Sequence, residues 1–106
     1  IKSGGEWISS IDLENLAMQH SDIEECAVIG HYHPKWEERP LLIVVAQNED
    51  NNAKEDILEW FDGKIARWWI PEDVVFVSEL PLTATGKVSK MLLRKQMSGY
   101  KFPGAD

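Results

Sequence analysis

Residues 41–46 read LLIVVA, a run too short to cross a membrane and too rich in β-branched side chains to prefer a helix. Such a run is a strand for the centre of a sheet, and residues 25–31, ECAVIGH, read as its neighbour. The intervening segment, HPKWEERP at 33–40, is expected to be a loop. With 43% hydrophobic residues in a 106-residue chain, one core and one domain over 1–106 are expected. A chain of this size has little room for a complete two-substrate active site.

The other elements follow from punctuation and periodicity. Gly4-Gly5 marks the turn of a short hairpin over 2–9, with Trp7 and Ile8 on the returning strand. Ser9 or Ser10 caps a helix through Met18, with Asp12 and Glu14 in the first turn and Ile11, Leu13, Leu16 and Ala17 as its apolar face. Ile57, Leu58, Phe61 and Ile65 lie at helical spacing within 54–66, a helix weakened by Gly63 and stopped by Pro71. A short strand at 74–77 and a last helix at 89–97 complete the order. The expected class is α+β: a small sheet of about three central strands flanked by helices and preceded by a short β-hairpin.

A net charge of −7 without a Lys/Arg stripe argues against a nucleic-acid partner, since phosphate binding needs clustered cations. The single cysteine, Cys26, is followed by Ala27, Val28 and Ile29, which suits a buried reduced thiol in a cytoplasmic protein. No signal peptide or transmembrane segment is visible. The chain opens on Ile1 without an initiator Met, as expected of a piece of something longer.

Residues 80–94, LPLTATGKVSKMLLR, carry the chemistry. Pro81 and Gly86 bracket a flexible loop, Thr83 and Thr85 offer hydroxyls, and Lys87 stands just before the helix marked by Met91, Leu92 and Leu93. That arrangement delivers a mobile lysine to an anion. A Walker A loop is excluded, because Pro81 stands where it needs glycine and Val88 where it needs Ser or Thr. On its own the tripeptide TGK reads as an ordinary surface turn.

Other clusters read as structural. His31 and His33 share one side of a strand but have no third ligand, so no metal site is assigned. Trp60, Trp68 and Trp69 are expected in the core or at a domain interface. Glu24, Glu25, Glu37, Glu38, Glu49 and Asp50 lack a shared geometry and are read as solvated.

Two separated motifs then match a known family. IKSGGEWI at 1–8, followed by Ile11-Asp12-Leu13-Glu14, and the segment 81–87 around Lys87 resemble the small C-terminal domain of adenylate-forming acyl-CoA synthetases, whose superfamily includes luciferases and peptide-synthetase adenylation domains. The phrases HPKW with Arg39-Pro40, and Trp68-Trp69-Ile70-Pro71, are similar to the medium- and long-chain fatty acyl branch, which includes ligases for methylthiopropionate-like acids. The resemblance implies a mobile domain that rotates between adenylation of a carboxylic acid by ATP and thioester formation with coenzyme A. Its partners would be a fatty acid, ATP, coenzyme A and its own larger N-terminal domain, with Mg2+ held mainly by that domain. It makes Lys87 the catalytic lysine of the first step and carries cofactor contacts to Lys2, Ser3, Gly4, Gly5, Trp7 and Gly86. Lys2 aligns with a lysine that assists the second step in some relatives. Trp7 stands where many distant relatives place an arginine, and is given an adenine-stacking or tunnel-lining role. A non-catalytic α/β binding or dimerisation module is the alternative.

Overall fold

The computed structural model describes residues 1–47 and 53–104, so Glu49 and Asp50 lie outside the described residues. Strand β1 (Lys2–Ser3) and β2 (Glu6–Trp7) form the expected hairpin, and helix α1 (Ser10–Ala17) follows. Ser9 caps α1, its Oγ accepting the Asp12 N–H at 3.1 Å. Then come β3 (Ile23–His33), β4 (Glu37–Ala46), α2 (Ala53–Phe61), a 3₁₀ turn (Arg67–Trp69), β5 (Asp73–Phe76) and α3 (Lys90–Gln96).

The class is α+β, but the sheet has five strands rather than about three, and the hairpin belongs to it instead of preceding it. β4 is its spine. β3 runs antiparallel along one edge of β4, from Ile23 opposite Ala46 to His33 opposite Glu37. The other edge is shared: β1 pairs antiparallel at Ser3 opposite Glu37, while β5 pairs parallel from Leu41 opposite Asp73 to Val44 opposite Phe76.

The strands are longer than their apolar runs, and the loop expected at 33–40 is only the turn Pro34-Lys35-Trp36. Glu37, at φ 71, begins the return strand. Polar residues 37–39 belong to β4 because this end of the strand borders the hairpin and solvent rather than a helix. Pro40 fits for a related reason. Its carbonyl points away from β3 and accepts the Glu72 N–H at 2.9 Å, so its missing donor faces the gap where β1 has ended and β5 has not begun.

The run LLIVVA is apolar throughout because both faces of β4 are covered. Leu42 and Val44 join Ile23, Val28 and Val74 against Ile8, Leu13, Ala17, Ile57 and Phe61 from the α1/α2 side. Leu41, Ile43 and Val45 join Ala27 and Ile29 against Leu80, Leu93 and Phe102 on the α3 side. Fully burying one side chain of this kind stabilises by about 1.5–3 kcal/mol. Ile11, expected on the inner face of α1, is instead 64% exposed. Helix α2 ends at Phe61 rather than at 66, because the chain reverses at Gly63 (φ 80).

The C-terminal tail is fixed by Asp73, which is buried at the start of β5. Its carboxylate takes the Lys54 ammonium at 3.0 Å and accepts the Tyr100 hydroxyl. His31 and His33 do share one side, where both rings meet Phe102, and His31 Nε2 donates to the Tyr100 carbonyl at 2.6 Å. Burial lowers the pKa of His31 from its ordinary 6.5, so the fold should lose some stability as the pH falls through that region and the unfolded chain takes up the proton first. Asp73→Ala should lower stability by about 2 kcal/mol, a fall in Tm of roughly 10 °C by differential scanning calorimetry. An unchanged Tm would mean that Phe102 and the His31 bond to the Tyr100 carbonyl hold the tail without Asp73.

Candidate functional site

Lys87 leaves a turn that is ordered by hydrogen bonds, not the flexible loop its Pro/Thr/Gly composition suggests. Leu82 bridges antiparallel to Val88, the Thr83 N–H donates to the Lys87 carbonyl at 2.6 Å, and the Gly86 N–H donates to the Thr83 carbonyl at 3.0 Å. Thr83 Oγ1 also accepts the Lys87 N–H at 3.2 Å and lies 3.1 Å from Thr85 Oγ1. Gly86, at φ 83, supplies the left-handed corner. The turn leaves Lys87 exposed, and among the described residues its ammonium has no carboxylate partner.

The base of that turn is tied down. Ser89 caps α3, with its Oγ accepting the Leu92 N–H at 3.2 Å. Lys90 reaches back to Glu14 at 2.9 Å and to Ser10 Oγ at 3.4 Å. The same Glu14 carboxylate accepts the Val28 N–H at 2.8 Å, covering part of the free edge of β3. Cys26 lies beside this junction, its Sγ donating to the Glu14 carbonyl at 3.6 Å. Burial first, and then the Glu14 charge, push its thiol up to about 12, so it is protonated at neutral pH and no nucleophile.

The second feature is a cleft of about 640 Å³ lined by Ser3, Gly4, Glu6, Trp36, Arg39, Trp68 and Glu72. Gly4 donates its N–H to the Trp36 carbonyl at 2.8 Å, and a Cβ at Gly4 would stand 3.0 Å from Trp36 Cε3. Here the absence of a side chain serves close packing. At Gly5, φ is 88 and a Cβ would meet nothing within 4 Å. Trp36 and Trp68, 41% and 45% exposed, present ring surface to the cleft, so Trp68 is not a core residue; Trp69 and Ile70 turn inward in its place. Trp60 is half-buried, donating its Nε1–H to the Leu16 carbonyl at 3.1 Å. Lys35 sets its ammonium 4.8 Å from the Trp36 ring centre.

The predicted contact residues divide between these features. Ser3 and Gly4 line the cleft and Gly5 borders it, whereas Gly86 and Lys87 belong to the other turn. Lys2 and Trp7 are exposed on the hairpin, with Lys2 Nζ 5.9 Å from the Trp7 ring centre, and neither lines the cleft. Arg39 and Trp36 appeared in the sequence only as part of a phrase typical of one branch. Both stand in the polar segment that reads as a loop, so nothing local marks Arg39 as a buried residue in need of polar partners. Among the described residues no group of three or more His, Cys, Asp or Glu side chains is arranged to hold a metal ion, and no helix is long and apolar enough to cross a membrane.

The profile of the AMP-binding enzyme C-terminal domain matches residues 12–87. The chain belongs to this family. Over 96 residues, or 91% of its length, this AMP-binding C-terminal domain is 56% identical to the 3-methylmercaptopropionyl-CoA ligase of Ruegeria lacuscaerulensis, of which it covers 18%. It is 47% identical to the medium-chain-fatty-acid–CoA ligase of Ectopseudomonas oleovorans over the same share of both proteins. Among solved structures, the fatty acyl CoA synthetase of Mycobacterium tuberculosis superposes with a TM-score of 0.85 at 36% identity, covering 93% of this chain and 20% of that one. The domain therefore spans about a fifth of the length of the relatives it matches.

Proposed function

We propose that this AMP-binding C-terminal domain is the mobile part of a carboxylic acid–CoA ligase, with a fatty or short thioether acid as substrate. One observation carries the reading: an exposed lysine, Lys87, projects from a hydrogen-bonded turn at the end of the family match. In the first step a carboxylate oxygen attacks the α-phosphorus of ATP, the bond to the β-phosphate breaks, and an acyl-adenylate and pyrophosphate result. Lys87 neutralises the charge gathering between carboxylate and α-phosphate. A unit charge about 4 Å from an anion is worth about 4 kcal/mol at an effective dielectric near 20. In the second step the sulfur of coenzyme A attacks the acyl carbonyl, AMP leaves with the bonding pair, and the thiol proton passes to solvent.

The second step belongs to the hairpin side. Gly5 leaves room for the pantetheine arm, Gly4 lets the hairpin close on Trp36, and the Trp36 and Trp68 rings offer apolar planes to the nucleotide base, with Lys35 at the rim for phosphate. Exposed Ile11, Leu82 and Met91 gather near the Lys87 turn, where Lys90 joins Ser10, and suit docking onto a larger N-terminal domain that holds ATP, Mg2+ and the acid.

The test uses the full-length parent protein with short, medium and long carboxylic acids, ATP, Mg2+ and coenzyme A. Acyl-CoA and AMP should form in equal amounts, while the isolated domain should release no AMP above background. Formation of ADP, or robust thioester synthesis by the domain alone, would sink the reading.

A further inference from the structure

We propose that Arg39, itself at the floor of the cleft, is its positioning residue, holding the two walls at a fixed separation and so setting the affinity for coenzyme A. This rests on the reading of the cleft as the coenzyme A surface. Apart from Arg39 the walls are held by a few backbone bonds, the Gly4 N–H to the Trp36 carbonyl and the Glu72 N–H to the Pro40 carbonyl among them. One wall is the hairpin, with strands of two residues each, and among the described residues β1 pairs with β4 only at Ser3 opposite Glu37. A two-stranded ribbon is marginal without further support. The other wall is Trp68, in a 3₁₀ turn between α2 and β5 whose preceding residue, Ala66, makes no side-chain cap bond.

Arg39 joins the two walls. Its Nη1 donates to Ser3 Oγ at 3.1 Å and to the Trp68 carbonyl at 2.8 Å, its Nη2 to the Ile70 carbonyl at 3.0 Å, and its Nε to Glu72 at 2.9 Å. The residue is 8% exposed, so each bond is made where water competes poorly, and Glu72 balances the charge. Beside it Pro40 accepts the Glu72 N–H but has no N–H of its own to donate, so the ladder between β1 and β5 is one donor short. The planar fork reaches four acceptors in different directions, which the single nitrogen of a lysine does not.

The experiment measures KM for coenzyme A and the rate of pyrophosphate exchange in the full-length ligase carrying Arg39→Lys, Ser3→Ala or Trp36→Ala. Arg39→Lys should raise KM for coenzyme A about tenfold and Ser3→Ala about threefold, with a much smaller change in pyrophosphate exchange. An unchanged KM in Arg39→Lys, beside a raised KM in Trp36→Ala, would leave the cleft reading standing and overturn the positioning role. Equal losses in both measurements would make Arg39 an ordinary structural residue and overturn it as well. No change in Trp36→Ala would remove the cleft as a coenzyme A surface, and the proposal with it. Should Arg39→Lys fail to fold, Ser3→Ala decides, with the tryptophan emission of the ligand-free protein as an added readout: lost positioning shifts that emission before coenzyme A is added, whereas a raised KM with unchanged emission marks a direct Ser3 contact and overturns the proposal.

Discussion

Lys87→Ala in the full-length ligase should slow acyl-adenylate formation about 10²- to 10³-fold, the loss typical of removing one preorganised donor from a developing charge. Thioester formation from a supplied acyl-adenylate should change little, because Lys87 and the cleft are carried by different turns and, under the proposed rotation, only one would face the reacting atoms at a time. The separation is testable because the lysine is exposed and its turn is held by backbone and threonine bonds that alanine retains. Folding should therefore be unaffected, and an unchanged Tm checks that. Single-turnover assays with equal losses in the two steps would count against the assignment.

What the sequence showed of this domain, and what it hid, have physical causes. Runs such as LLIVVA and the 3.6-residue spacing of Ile57 and Phe61 report burial directly, so the core strands and, Ile11 apart, the inward faces of these helices were legible. Ser9 was legible as a cap, with Ser10 the alternative, because its side chain acts on a backbone group within a few residues. The polar half of β4 was not, since residues 37–39 owe their strand conformation to partners distant in sequence, Ser3 among them. The cleft was invisible for the same reason. Its walls come from segments more than 30 residues apart, joined by Arg39, whose partners only the fold brings together. Trp68 and Trp69 show the limit of composition: adjacent and identical, one lines the cleft and the other packs on the core. The lysine segment was legible as a turn before a helix because its signals are local, yet its hydrogen-bonded order was not, because Thr and Gly suit a loose loop as well as a closed turn.

Gly5→Leu should have the opposite signature to Lys87→Ala, depressing thioester formation at least about tenfold while pyrophosphate exchange suffers far less. Gly5 is the better probe of the two hairpin glycines. A side chain at Gly4 would press on Trp36 within the domain itself, whereas a Cβ at Gly5 projects into open space, so what a leucine there obstructs is something arriving from outside. The backbone also contributes, since φ is 88 at this position and a branched residue held there is strained by about 1–3 kcal/mol. Gly5→Asn separates the two effects, because asparagine tolerates the left-handed region and is shorter. If leucine blocks the pantetheine path, Gly5→Asn should retain most of the thioester rate, and Gly5→Leu should keep a cooperative thermal transition. If instead both variants lose both half-reactions together, the turn is needed for folding or for the adenylating pose, and the pantetheine arm does not pass it.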